Sequence, residues 1–327
     1  MNVHVLTYAT DARGYFRALT ANPLVTVLGY GTRWHGFHDK VAGVLAYARE
    51  TGLPPDALVC FVDGFDSVVL TRDVAELREK FTSFDADIVF SRERTDPSRL
   101  VGYLTRRIFG LCGRGVSMNS GMWMADVRTA ERFWSLMRPG EDDQVFASRI
   151  CREPPAGLRV AVDAGNVLFY NYTSADYEDS PAAVAVRVSA SSSLRRILVS
   201  RRDEEGHRET TMPCVISAPG SADMNGLLRD AGVVHDPALL PDKSSYPYAY
   251  HAGIFFRQWA FRELLPETLT VLFLAAVLAV LAVFFFLRPP LGPPRGLPSS
   301  RPPRGLPSSR PPRGLASARG RKTASRT

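Results

Sequence analysis

The segment that most constrains the fold is an apolar run that ends abruptly in carboxylates. Residues Leu58–Val62 are apolar, Asp63 follows at once, and Gly64 and Asp66 lie in the next turn. An unbroken apolar run is typical of a strand buried on both faces of a parallel sheet. Acids at the carboxyl end of such a strand lie where open α/β sheets bind ligands. The run therefore predicts an α/β fold with a ligand site at this edge, and the alternative is a strand-end turn with two solvated aspartates.

Strand-like and helix-like segments alternate along the first ninety residues. Thr71 and Asp73 can begin the third helix, which carries apolar residues at helical spacing. This alternation predicts a parallel, doubly wound, Rossmann-like sheet. We predict strands at Val3–Thr7, Leu24–Leu28, Leu58–Val62 and Asp87–Phe90, and helices at Ala12–Thr20, Lys40–Thr51 and Val74–Thr82.

A second group of elements follows. The pattern predicts a mixed strand at Ser117–Ala125 and helices at Ala130–Met137 and Asp143–Cys151. Val160–Val162 and Val167–Tyr170 read as a short hairpin. Residues 174–212 are polar and show no periodicity, so we predict a loop-rich extension there.

The basic charge of the chain is confined to its C-terminal tail. The full sequence has 40 Lys and Arg, 33 Asp and Glu, and a formal charge of +7. Ten of the basic residues and none of the acids lie from residue 288 onward, so the body carries 30 basic and 33 acidic residues and a charge of −3. This balance argues against a nucleic-acid-binding body.

A long uncharged segment precedes the tail. Leu269–Leu287 has nineteen residues without a charge, which at about 1.5 Å per residue span roughly 28 Å, close to a hydrocarbon core. We predict a transmembrane helix, with a buried helix of a soluble protein as the alternative. The predicted domains are residues 1–262 for the folded body, 263–287 for the helix and 288–327 for a disordered Pro/Arg-rich tail.

Membrane orientation stays open at the level of sequence. The basic tail favours a cytosolic C-terminus, whereas the N-terminus lacks the features of a signal peptide and would leave the body in the cytosol. The tail either attracts anionic lipid or phosphate or is simply solvated. The four cysteines form no C-x-x-C pair, so we predict no disulfide framework, in agreement with a reducing compartment.

Three more stretches carry side chains suited to a nucleotide-sugar site. Thr7 lies near the end of the first strand, where a base and ribose usually rest. Trp34 closes a glycine-rich loop and could stack on a base, or be a packed aromatic. Asp142 and Asp143 open a helix, where capping accounts for at least one of them and general-base or charge-stabilising chemistry for the other. Asp63 and Asp66 have the oxygen ligands that Mg²⁺ or Mn²⁺ prefers.

Five motifs occur in the order of one known family. They are Thr7-x-Ala-Thr, Leu28-Gly-x-Gly-x-x-Trp-x-Gly, Phe61-Val-Asp-x-x-Asp, Asn119-Ser-Gly and Asp142-Asp-Gln-x-Phe. Over about residues 2–235 the chain resembles the glycosyltransferase domain of procollagen lysyl hydroxylase/glycosyltransferases (PLOD-like) and of collagen galactosyltransferases. No stretch resembles the iron-dependent hydroxylase domain of the larger members.

The resemblance implies a GT-A fold with a mixed sheet, a UDP-sugar donor and Mn²⁺. It implies that Asp63 and Asp66 bind the metal and that Asp142 and Asp143 lie near the reacting carbon. It further implies contacts to the donor, on the uridine side from Thr7, Trp34 and Phe65, on the diphosphate from Lys40, and near the sugar and acceptor from Asn119, Ser120 and Gly121.

One position departs from the family pattern. The family usually has His-Gly-Asn-Gly late in the domain, where the His is a metal ligand, and here Ser217 stands in its place. Because Ser is a poor substitute ligand, two Asp with diphosphate and water hold the metal, another residue replaces the His, or activity is weak or absent.

Two classes of function follow. The first is a membrane-anchored glycosyltransferase that moves galactose or glucose from UDP-galactose or UDP-glucose to a protein or glycan hydroxyl, with hydroxylysine of a collagen-like protein as one acceptor. The alternative is a catalytically impaired relative that binds a nucleotide-sugar or a protein partner at a membrane. A membrane scaffold without a ligand site is supported only by the helix and tail.

Overall fold

The structure is a computed structural model. It describes residues 2–93, 103, 106–112, 115–172, 184–189, 196–202, 207–219, 222–236, 260 and 264–286. The chain divides into two compact units, residues 1–271 and 272–327. In the second unit only the end of one helix is described.

The described strands and helices follow each other in an α/β order. The strands are β1 Val3–Tyr8, β2 Val25–Leu28, β3 Leu58–Asp63, β4 Ser67–Val69, β5 Ile88–Arg92, β6 Met118–Asp126, β7 Val160–Asp163, β8 Phe169–Asn171, β9 Val184–Val188, β10 Ile197–Arg202, β11 Arg208–Thr211 and β12 Val215–Ser217. The helices are α1 Phe16–Thr20, α2 His38–Glu50, α3 Val74–Thr82, α4 Val127–Trp134, α5 Asp143–Arg152, α6 Asn225–Asp230 and α7 Leu265–Phe286.

A six-stranded mixed sheet forms the centre of the first unit. Its order is β2-β1-β3-β6-β5-β7. β6 is antiparallel to both of its neighbours, and the other adjacent pairs are parallel. The prediction of an α/β fold with a parallel-rich sheet is therefore confirmed.

The sheet is covered on both faces because successive side chains of its strands point to opposite sides. On β3, Val59 and Phe61 join one apolar cluster with residues of α2, α4 and α5. Leu58, Cys60 and Val62 join a second cluster with residues of α1 and α3. All five of these β3 residues are at most 3% exposed, which explains why the run shows no polar alternation.

Aspartates begin three of the helices and fix where they start. Asp73 accepts from the backbone N–H of Ala75 at the start of α3, as Thr71 and Asp73 predicted. Asp126 does the same for α4 through the N–H of Thr129. Asp142 caps α5. A side-chain oxygen at the N-cap satisfies helix N–H groups that have no partner within the helix.

Two small sheets adjoin the central one, and they correct two predictions. Val160–Val162 and Val167–Tyr170 do not form a hairpin, because β7 pairs with β5 in the central sheet and β8 pairs with β12. Residues 174–212 are not simply loop-rich, because β9, β10 and β11 form an antiparallel sheet whose inward residues join a third apolar cluster. Residues 173–183 lie outside the described part of the chain.

The structure also corrects the prediction about cysteine. Cys112 and Cys151 form a disulfide between a segment before β6 and the last turn of α5. Their Cα atoms are 5.4 Å apart although 39 residues separate them in sequence. The spacing gave no signal because the fold, rather than a short motif, brings the two residues together. Cys60 and Cys214 are free and buried.

One described helix is long and apolar enough to cross a membrane, judged by length and composition. α7 has 22 residues, and an 18-residue stretch of it has a mean hydropathy of 3.0. None of its residues is buried. The predicted tail, residues 288–327, lies outside the described residues.

Candidate functional site

The tip of β3 lies between the ends of β1 and β6. Asp63, the last residue of β3, pairs in register with Tyr8 at the end of β1. Gly64 turns the chain directly against β1, where a Cβ would lie 2.7 Å from the carbonyl oxygen of Tyr8. Only glycine allows this approach without a shift of the backbone. The turn therefore holds Asp63 and Asp66 at the carboxyl edge of the sheet, as the sequence predicted.

Lys40 joins two of the candidate aspartates. It lies in the first turn of α2, and its Nζ is 2.5 Å from Oδ1 of Asp63 and 3.7 Å from Oδ2 of Asp143. Burial works against the ammonium charge, but the two carboxylates more than offset it and raise the pKa of Lys40. The lysine therefore stays charged and draws together the ends of β3 and α5.

Negative charge exceeds positive charge within this group. The ammonium of Lys40 contacts Asp63 and Asp143, and Asp66 is near enough to act on it electrostatically. Burial, with Asp63 as a second cause, raises the pKa of Asp66 to about 6. Burial also raises the pKa of Asp143 to about 6, although Lys40 opposes that rise. A further cation would relieve this excess charge.

Two hydroxyl groups hold Asp66. Ser67 and Ser217 both donate to its Oδ1, at 3.3 and 3.2 Å. Ser217 is opposite Ser67 on β4 and opposite Asn171 on β8. Ser217 therefore lies in direct contact with a predicted metal ligand. Serine supplies a hydroxyl oxygen there instead of an imidazole nitrogen.

The predicted sugar-side residues lie on an irregular part of β6. The register of β5 and β6 shifts between Phe90 and Ser91. Oδ1 of Asn119 accepts from the backbone N–H of Gly121 at 2.8 Å. A Cβ on Gly121 would lie 2.6 Å from Oδ2 of Asp63. The backbone of β6 therefore closes directly over the Asp63 carboxylate.

Glu93 connects the motifs that begin at Asn119 and Asp142, and no pattern in the sequence predicted this role. Its Oε2 accepts from Nδ2 of Asn119 at 2.8 Å and from Nε2 of Gln144 at 2.9 Å. Ser120 donates to Asp143. The Asn119 and Asp142 motifs therefore meet through side chains, although more than twenty residues separate them. A single glutamate after a strand gave no pattern that could have identified it.

The two adjacent aspartates of α5 have different surroundings. Oδ1 of Asp142 accepts from the backbone N–H groups of Gln144 and Val145, both at 3.0 Å. Asp143 is 5% exposed and faces Lys40. The capping interpretation therefore holds for Asp142. Asp143 is the member of the pair that reaches the charged cluster.

The predicted uridine-side residues lie at or beyond the ends of three strands: Thr7 in β1, Trp34 in the loop between β2 and α2, and Phe65 in the turn after β3. Thr7 is fully buried, and its Oγ1 has no hydrogen-bond partner among the described residues. Trp34 is 41% exposed and packs beside Tyr8, with ring centroids 5.9 Å apart. The guanidinium of Arg13 covers the Phe65 ring at 4.1 Å. Trp34 thus leaves part of its indole exposed to solvent.

The donor set fits a hard divalent cation held mainly by its substrate. Among the described residues, no group of three or more His, Cys, Asp and Glu could hold a metal ion. Asp63 and Asp66 nevertheless supply two carboxylates in a cluster with excess negative charge. Mg²⁺ typically binds one or two carboxylates together with substrate phosphates and water. The residues present fit such a site and do not form an all-protein cage.

Comparison with known proteins does not assign the chain to a family. No protein-family model matches it, and no curated protein matches it. It is similar in structure to A197 from STIV, with 11% identity, 65% of this chain and 94% of that chain covered, and a TM-score of 0.32. It is also similar to a 4-diphosphocytidyl-2C-methyl-D-erythritol synthase, with 15% identity, 49% and 87% covered, and a TM-score of 0.28. Similarity at this level carries no conclusion about activity.

Proposed function

We propose that this chain is a metal-dependent glycosyltransferase of the GT-A type. It transfers galactose or glucose from a UDP-sugar to a hydroxyl group of a protein or glycan, with hydroxylysine in a collagen-like protein as one acceptor. The observation that carries the proposal is the convergence of Asp63, Asp66 and Asp143 on Lys40 at the carboxyl edge of the central sheet. The cation bound to a diphosphate would offset the excess negative charge of the carboxylates. The oxygens of the diphosphate would accept hydrogen bonds from Lys40.

Each residue of the site has a role in sugar transfer that depends on its position. The acceptor oxygen forms a bond to the anomeric carbon while the bond from that carbon to the UDP oxygen breaks, and UDP leaves with the electron pair. Asp143 stabilises positive charge at the sugar or takes the proton of the acceptor hydroxyl. Lys40 donates to the diphosphate, as a point charge suited to phosphate oxygens. Trp34 and Thr7 bind on the uridine side.

Asp63 and Asp66 would hold a divalent cation, Mn²⁺ or Mg²⁺, which would neutralise the negative charge that develops on the leaving UDP. The carboxylates remain in place through the turn at Gly64, and the hydroxyls of Ser67 and Ser217 orient Asp66. Residues that already hold their ligand geometry lose little freedom when the cation and donor bind.

Turnover of the donor tests this function. The full chain in detergent is incubated with UDP-galactose or UDP-glucose, Mn²⁺ and hydroxylysine peptides, and released UDP is measured. We expect release that falls by at least about a hundredfold in Asp63→Asn and in Asp66→Asn, because each substitution neutralises one of the two carboxylates that hold the cation.

Asp56→Asn is the matched control, because Asp56 is exposed at the opposite end of the same strand. It should leave UDP release unchanged. Release by the wild type no greater than by the two site variants contradicts the proposal.

A second function is favoured by Ser217. With a hydroxyl where the family has a metal-binding His, and with Lys40 already paired to Asp63, the chain could bind a nucleotide-sugar without turning it over. Binding of UDP that depends on Mn²⁺, without release of UDP from any donor, selects this function. The exposed apolar surface of α7 supports attachment of either form to a membrane.

A further inference from the structure

Asn171 carries a buried oxygen that nothing in the described part of the chain uses. The residue is 2% exposed, and its Oδ1 has no hydrogen-bond partner there. Its Nδ2 donates to the backbone carbonyl oxygen of Arg92 at 2.7 Å. Because only the NH₂ end of the amide can donate to a carbonyl, this bond fixes which end is oxygen. Leaving a buried acceptor unpaired is unfavourable, because the oxygen loses its bonds to water and gains none in exchange.

The neighbours of Asn171 lead to Asp66. On the sheet β4-β12-β8, Asn171 pairs with Ser217, and Ser217 pairs with Ser67. Side chains that are directly opposite on adjacent strands point to the same face. The Ser217 side chain on this face donates to Asp66. Asn171 therefore lies one strand beyond Ser217, about 5 Å away, on the face that Asp66 occupies.

We propose that the Asn171 carboxamide oxygen is a third protein oxygen of a divalent-cation site formed with Asp63 and Asp66, and that this all-oxygen site selects hard cations such as Mg²⁺ over softer cations such as Zn²⁺. The proposal rests on the proposed function and identifies how the site is completed in a chain with Ser217. Carboxylate and carbonyl oxygens are the donors that suit Mg²⁺, whereas an imidazole favours later transition metals.

The burial of Asn171 favours cation binding over glycosylation as the role of its side chain. Asn171-Tyr172-Thr173 has the form of a glycosylation sequon. A side chain that is 2% exposed cannot receive a glycan in the folded chain. A buried side-chain amide usually has hydrogen-bond partners at both ends. The amide of Asn22 has both, donating to Val69 and Thr71 and accepting from Leu24.

Titration of the full chain with Mg²⁺ alone, without nucleotide, tests the proposal by calorimetry. We expect Asn171→Ala to bind Mg²⁺ at least about tenfold more weakly than the wild type. Asn171→Asp should bind it more tightly, because a carboxylate replaces a neutral ligand. Asn22→Ala, which empties a buried amide at the far end of β4, should leave the affinity unchanged. Zn²⁺ should show no comparable dependence on Asn171.

Two results overturn the proposal. One is an Asn171→Ala variant that unfolds at the wild-type temperature and binds Mg²⁺ as tightly as the wild type. If that variant does not fold, Asn171→Asp decides, and the absence of any gain in Mg²⁺ affinity or in stabilisation by Mg²⁺ contradicts it. Failure of the proposed function is separate, because it shows as absent UDP release in a chain whose Mg²⁺ affinity still depends on Asn171.

Discussion

At the scale of single residues, the site depends on how closely β6 approaches β3. Gly121 has no positive φ, so its constraint comes from contact alone. A Cβ at this position would lie 2.6 Å from Oδ2 of Asp63, a distance that forces the carboxylate to move. Glycine at this position therefore shapes the predicted metal and diphosphate site.

We expect Gly121→Ala to weaken cation-dependent UDP binding by about tenfold or more, because positioning errors of about 1 Å are costly at such sites. Calorimetry with UDP and Mn²⁺ measures the affinity. Gly157→Ala is a control for the loss of a glycine, since a Cβ there meets nothing within 4 Å although its φ of 69° adds strain. Unchanged UDP affinity in Gly121→Ala would show that Asp63 does not contribute to the binding.

The two aspartates at the start of α5 have different predicted roles: Asp142 stabilises the helix, and Asp143 takes part in the reaction. We expect Asp142→Ala to lower the free energy of unfolding by about 0.5–2 kcal/mol, the usual cost of losing an N-cap. Asp143→Asn should instead reduce UDP release with little loss of stability, because it removes a buried charge. Chemical denaturation and the UDP assay on both variants measure these effects. The reverse pattern would exchange the roles of the two residues.

The site was predictable from sequence where local patterns mark it. Asp63 and Asp66 follow an unbroken apolar run, and Trp34 follows a glycine-rich loop, so their places could be inferred. Glu93 and Asn171 could not be found in this way, because each acts through partners on distant strands. Ser217 was identified as a departure from a family pattern, but its hydrogen bond to Asp66 required the structure.

At the scale of elements, α3 shows how one helix is fastened to the neighbouring sheet. Oε1 of Glu76 accepts from Lys80, and Oε2 accepts from Thr71. Lys80 also donates to the backbone carbonyl of Met212, just before β12. Burial alone would raise the pKa of Glu76, but the bonds from Lys80 and Thr71 more than offset it, and the pKa is lowered.

This shift predicts how stability depends on acid. Because the folded pKa of Glu76 lies below 4.5, its contribution is present above that pH and is lost as pH falls through the folded value. Urea unfolding between pH 7 and pH 3 should show a steeper loss of stability in the wild type than in Glu76→Gln. Parallel curves would mean that the ionised Glu76 adds nothing to the fold.

The bounds of helices and strands were predictable wherever buried residues recur in the sequence at a clear helical or strand period. α2, α3 and α5 and the first strands were predicted to within a few residues. The sheet of β9, β10 and β11 was missed, because its strands are short and polar on one face. The hairpin of β7 and β8 was wrong, because adjacency in sequence does not decide which strand a segment pairs with.

At the scale of the whole molecule, the disulfide bears on the compartment. Cys112 and Cys151 lie in the apolar cluster that joins the central sheet to α5. We expect Cys151→Ser to lower the free energy of unfolding by about 2–4 kcal/mol, as for other loops closed by a disulfide. Cys60→Ala is the control, because Cys60 is free and buried. Mass spectrometry without reduction should detect the Cys112–Cys151 crosslink, and two free thiols there would contradict the pairing.

The disulfide and the tail favour the same orientation. Disulfides persist in oxidising compartments, and basic residues after a span favour the cytosolic side. We expect the full chain to stay in the membrane pellet after alkaline carbonate extraction. In sealed microsomes, protease should remove the tail and leave the body intact. Release by carbonate would remove the membrane assignment, and digestion of the body would reverse the orientation.

The central claim is that two aspartates at the tip of β3 hold a cation that binds the diphosphate of the donor. Titration of the full chain with UDP, with and without Mn²⁺, tests it most directly. We predict that Mn²⁺ strengthens UDP binding by at least about tenfold in the wild type and not in the Asp63→Asn, Asp66→Asn double variant. Equal UDP affinity in the two proteins with Mn²⁺ present would contradict the account.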